Sequence, residues 1–179
     1  MLRCGSDAGL ATRMTGCSKS TNPGPNGLTE IMLEPKIDRH NLIAQIRAHF
    51  PELEESYQRE REKWEKHQSL PTNYIIVGDV LQPYFIRELE RGKTSEFLRR
   101  CAAFMESVCL TGDAEAINVI WVRLFEWLIF HPRELEMIWA SLGPATKSNI
   151  RDAARRWSEA GRDHGRTGNL PEKNVPDWD

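Results

Sequence analysis

The sequence predicts an all-α protein of about seven helices in antiparallel pairs, arranged as an orthogonal bundle or a small HEAT-like stack. Three observations lead there. Apolar residues recur every three or four positions through most of the chain from Asp38 to Ser158. Asp, Thr or Pro stands where most such runs begin, and Gly or Pro where several of them end.

Asp38 precedes RHNLIAQIRAHF, where Leu42, Ile43, Ile46 and Phe50 share a face. Pro51 closes that helix and opens the next, PELEESYQREREKWEKH, whose thin apolar stripe of Leu53, Tyr57 and Trp64 predicts an outer helix. After the break SLPTN, the β-branched start of YIIVGDVLQPYFIRELERG reads as a short extended piece. A helix is then expected from Asp79 as N-cap, with Gln82 three residues on, Pro83 near the first turn and Gly92 as the stop. Thr94 is expected to cap TSEFLRRCAAFMESVCL, with Phe97, Leu98, Cys101, Phe104, Met105 and Val108 inward.

The short turn TGDAE leads into INVIWVRLFEWLIFHP, residues 117–132. This apolar run falls short of the roughly 20 residues a bilayer span needs, and it carries Arg123 and Glu126 near its middle. At a regular helical pitch its apolar residues cover a broad arc, Arg123 and Glu126 pair on the opposite strip, and Asn118 points into the apolar arc, where it needs a hydrogen-bond partner. PRELEMIWASLG follows with Leu135, Ile138, Trp139 and Leu142 inward or half-inward and Gly143 as C-cap. Pro144 starts the last helix, PATKSNIRDAARRWSEAG, with Ile150, Ala153, Ala154 and Trp157 inward. The domain organisation expected is a disordered leader over 1–35, with Met32 an alternative start, a helical domain over 36–161 and a flexible tail over 162–179.

The 179 residues suffice for one domain with a true core, and the net charge of −2 provides no positive field for nucleic acid or an anionic membrane. The leader lacks the apolar stretch of a signal peptide, so a cytoplasmic protein is expected. Cys101 and Cys109, two helical turns apart, stand roughly 12 Å from each other, which is beyond disulfide reach, and read as core residues of a reducing compartment.

No phosphate loop, dinucleotide fingerprint or nucleophile elbow occurs, and the five histidines, at 40, 49, 67, 131 and 164, have no zinc-ligand spacing. Cys101 with His131 is the sole nucleophile and base pairing worth naming, and a buried structural cysteine is the favoured reading. The chain is therefore expected not to be an enzyme and to need no cofactor. Between Phe104 and Leu142 six acids face two arginines in a stretch that also holds three tryptophans, a composition suited to anchoring a basic protein partner.

The segments FPELEESY, VGDVLQPYFIRELERG, EFLRRCAAFMESV and WLIFHPRELEMIWASLGPATKSNI resemble a family of small bacterial all-helical domains of uncharacterised function, over residues 37–158. The shared features are G-[DE]-V-L-x-P at Gly78 to Pro83, F-x-E at Phe104 to Glu106 and L-G-P-x-T at Leu142 to Thr146. Domains of this kind look like the immunity partners of secreted bacterial toxins. The resemblance thus implies a monomeric cytoplasmic immunity protein that occludes the active site of a cognate toxin, with no nucleic-acid or membrane partner. The contact residues expected are Glu115, Glu126, Trp127, Glu134, Glu136 and Trp139. The alternative is a helical scaffold or regulatory adaptor for a host protein or peptide.

Overall fold

The computed structural model describes residues 36–163 and 171–176, all within one compact unit. The expected leader and alternative start, the residues 164–170 and the last three lie outside the described residues. The fold is all-α: seven helices and no strand among the described residues.

Helix α1 spans Leu42–His49 and α2 Glu54–Glu65, with the 3₁₀ turn Pro51–Leu53 at the corner between them. Helix α3 runs over 73–90, α4 is Glu96–Thr111, α5 runs over 114–129, α6 is Pro132–Trp139 and α7 is Pro144–Asp163. A 3₁₀ turn, Pro171–Asn174, follows. Helix α5 packs against α4 on one side and α7 on another, α3 packs against α4 and α6, and α2 lies on the middle of α3. The innermost residues include Phe50, Phe85, Phe104, Met105, Phe125, Leu128 and Trp139. Phe50 meets Phe97 at 5.2 Å and stands edge-on to Phe104 at 5.6 Å, locking the α1–α2 corner to α4 through ring contacts of about 1 kcal/mol each. Arg100 fastens the same corner from α4, bonding the His49 carbonyl and the Glu52 carboxylate.

The starts and stops follow local chemistry. Ser95 Oγ accepts the Leu98 N–H (3.2 Å) and Asp113 Oδ1 accepts the Ala116 N–H (2.8 Å), each satisfying a donor that the first helical turn leaves free. The α4 cap is Ser95, one residue after the expected Thr94. Prolines open the 3₁₀ turn at Pro51 and helices α6 and α7 at Pro132 and Pro144, where the missing N–H costs nothing. Gly92 ends α3 at φ +68°, a conformation that other residues reach only with strain.

Three expectations are corrected. The segment from Tyr74 is helical rather than extended: Thr72 is the cap, Asp79 is not, and Ile76–Leu81 forms a π-helical turn. The wider turn brings Ile76, Val77, Val80 and Leu81 all into the core, and their burial outweighs the strand preference of β-branched residues. A second π-helical turn, Trp121–Phe125, lies in the middle of α5 and shifts the phase of the helix that regular spacing predicts. Asn118 accordingly faces outward, where it donates to the Tyr74 hydroxyl, and Arg123 and Glu126 are not paired. Finally, α7 continues past residue 161 to Asp163, and Pro171–Asn174 packs back on the body. Its Glu172 N–H donates to Ser158 Oγ (3.0 Å), and Asn174 Nδ2 donates to the Ile129 carbonyl (2.8 Å).

Candidate binding surface

Pro132 ends α5. A residue before proline is driven out of the α region, and His131 sits at φ −126°, ψ 74°, turning the chain sharply into α6. The turn strands Phe130 on the outside of the corner, where 49% of it stays exposed. Trp157, reaching over from α7, is 37% exposed and meets Phe130 edge-to-face at 5.6 Å. Glu126 stands one turn before Phe130 on α5, beside the Trp157 indole, whose polar edge favours the charged carboxylate. Burial raises the Glu126 carboxyl above the usual glutamate range, and the indole only partly opposes this. On the adjoining stripe Trp127 lies parallel to the His131 ring at 3.9 Å, and His131 Nδ1–H donates to the Trp127 carbonyl (2.6 Å). The result is an aromatic ridge of Phe130 and Trp157 with a half-buried carboxylate at its foot.

The six residues expected to contact a partner divide. Glu126 and Trp127 belong to this corner, and Glu134 follows in the first turn of α6. Glu136 is exposed beside Arg133, Lys173 and Asn174 along a shallow groove, so the surface there is mixed in charge. Trp139 is excluded: it is fully buried, with the cations of Lys147 and Arg151 over its ring at 5.5 and 5.3 Å. Glu115 is excluded from the same patch. It stands in the first turn of α5 beside Arg39 and Tyr74, with nearly the whole of that helix, about 22 Å at 1.5 Å per residue, between it and Phe130. Phe130 and Trp157 are the members that sequence reasoning missed. Phe130 precedes His-Pro, which signals a helix end and hence an outward side chain, whereas Trp157 falls on the apolar stripe of α7 and carries no such mark.

Two of the acids in the acidic stretch are structural. Asp113 is the α5 cap, and Glu106 caps α7 from α4: its Oε1 accepts the Ala145 N–H (3.0 Å), and its Oε2 accepts the Thr146 N–H and hydroxyl (both 2.8 Å). Burial pushes the Glu106 carboxyl up, but those donors and the nearby Lys147 charge outweigh it and hold the carboxyl below the usual range. A Cβ on Gly143 would overlap that carboxylate, so glycine is required for the close approach. F-x-E and L-G-P-x-T are thus two halves of one cap.

Cys101 is buried and desolvation pushes its thiol well above the ordinary range, while Cys109 is pushed up to about 11. His131 Nδ1–H is engaged by the Trp127 carbonyl and its ring is stacked on Trp127. Among the described residues no group of three or more His, Cys, Asp or Glu is placed to hold a metal ion, and no helix is long and apolar enough to cross a membrane.

An all-helical domain with a mixed-charge aromatic corner is the class that these observations define. The chain belongs to the family described as a domain of unknown function (DUF7674), which it matches over residues 43–158. No curated protein and no solved structure matches it.

Proposed function

We propose that this chain is a cytoplasmic immunity protein, which binds a cognate bacterial toxin and neutralises it by occluding the toxin's active site. The toxin association comes from the resemblance of its motifs to immunity domains. The binding part of the reading rests on one observation, the exposed edge-to-face pair of Phe130 and Trp157 with Glu126 at its foot. Rigid aromatic area at the centre of a contact supplies most of its energy, and rim acids such as Glu134 and Glu136 speed encounter with a basic partner.

The test is co-expression of the tagged protein with the product of the neighbouring gene, followed by affinity capture and mass spectrometry. A stoichiometric complex with a protein that is toxic alone is expected. Phe130→Ser should weaken that complex by about tenfold or more through faster dissociation, and reversal of Glu134 and Glu136 should slow association, with the fold intact in both. A complex with undiminished affinity in both variants would remove this corner as the interface.

A further inference from the structure

The two π-helical turns meet at Arg123. Its guanidinium lies flat on Gly78: the position a Cβ would take there is 2.9 Å from Arg123 Cζ, 3.0 Å from Nε and 3.1 Å from Nη1. Three near-equal distances mean that the plane of the group faces the backbone of α3, so its N–H edge runs sideways along the surface instead of into the helix. From the other side, Gln82 on α3 donates to the Arg123 carbonyl and ties the two turns together.

Among the described residues no acid neutralises this cation. Arg123 forms no ion pair among the described residues, and its Nε is enclosed without a hydrogen-bond partner. The two terminal nitrogens also lack a protein partner but reach solvent. A buried donor left unmade costs about 1–3 kcal/mol, and π-helical turns concentrate where a protein binds something. A positioned, unpaired guanidinium on a glycine platform is what a planar bidentate anion needs. No second cation accompanies Arg123 in either π-helical turn, and acids stand close by in sequence at Asp79 and Glu126, which favours a singly charged anion over a phosphate dianion. Trp127, one turn further along the same face of α5, is half-buried and offers apolar surface for the organic part of such a ligand.

We infer that Arg123, seated on Gly78 between the two π-helical turns, is a binding site for an organic carboxylate. The site lies outside the Phe130–Trp157 ridge, and its test is independent of any toxin. The carboxylate belongs either to a small molecule or to an acidic side chain of another protein.

The test is a two-dimensional ¹H–¹⁵N spectrum of the arginine side chains of the full chain. The Nε–H signal lost in Arg123→Lys is followed as sodium propionate, a glutamate capped at both ends, phosphate or chloride is added. The expected result is a saturable shift of that one signal with propionate or the capped glutamate, at a concentration several-fold lower than with phosphate, and none with chloride. Stronger binding of the capped glutamate assigns the carboxylate to a protein side chain, and equal or stronger binding of propionate to a small molecule. In Gly78→Ala the three atoms nearest the new Cβ all belong to the movable guanidinium, so the fold should persist while the affinity falls by about tenfold, the loss of one oriented charge-assisted contact. No saturable shift, equal response to phosphate, or unchanged affinity in Gly78→Ala would overturn the assignment.

Discussion

The Glu106 carboxylate holds the backbone N–H and the hydroxyl of Thr146, forty residues further on, and so caps the longest helix among the described residues from a neighbouring one. Most N-caps are supplied by the residue just before the helix. Here that place is occupied by Gly143, which has no side chain to offer, and Pro144 has no N–H to satisfy. Gly143 instead provides the space through which the carboxylate reaches Ala145 and Thr146.

Glu106 and Gly143 should therefore act as one unit. Glu106→Ala is expected to cost about 1–2 kcal/mol, the value of a charged cap, and Gly143→Ala a similar amount because its Cβ expels the carboxylate. The double variant should cost little more than either alone, which urea unfolding of the four proteins would measure. Additive losses would show that the two residues stabilise the fold by separate routes.

The acid limb of the stability curve should carry the mark of the same carboxylate. Its folded pKa lies below the unfolded value of about 4.3, so its contribution is complete above that pH and is lost as pH falls through the folded pKa. Glu106→Gln should flatten the fall in stability below about pH 4.3. Glu126 has the opposite sign: its folded pKa is raised, so its contribution is present below the unfolded value and lost as pH rises through the raised pKa. Glu126→Gln should be more stable than the parent at pH 7 and lose the slope just above about pH 4.3. Thermal unfolding across pH 3–8 would separate the two (about 4.3 being the ordinary glutamate value).

Trp139 and Trp157 should respond to substitution in opposite ways. Trp139 is 0% exposed, and Trp139→Ala should destabilise the fold by about 3–5 kcal/mol through the cavity it leaves. Trp157→Ala should cost about 1 kcal/mol and fall instead on partner affinity. Chemical unfolding with a parallel binding measurement distinguishes these outcomes.

The two thiols of α4 should be inert. In a Cys4→Ser and Cys17→Ser background, a thiol reagent at pH 8 should modify Cys101 and Cys109 far more slowly in the folded than in the unfolded protein. Cys109 should react first, being half-buried where Cys101 is enclosed. Rapid labelling of Cys101 would contradict the burial of α4 against the core.

The sequence by itself determined the helical class, the number of helices and most of their ends. These depend on interactions within a few residues: the three-to-four spacing of Leu42, Ile46 and Phe50, the caps Ser95 and Asp113 or their neighbours, the prolines that open helices, and the glycine at Gly92. Only the tertiary structure decided the rest. A π-helical turn is chosen because it lets Ile76, Val77, Val80 and Leu81 all meet the core, and the one in α5 releases Asn118 to Tyr74 and lays Arg123 on Gly78. Trp139 and Trp157 both lie on apolar stripes, yet one is enclosed and the other faces water, because burial depends on which helix packs over that stripe. Periodicity is a property of one helix, while exposure, a cap drawn from forty residues away and an unpaired arginine are properties of several helices packed together.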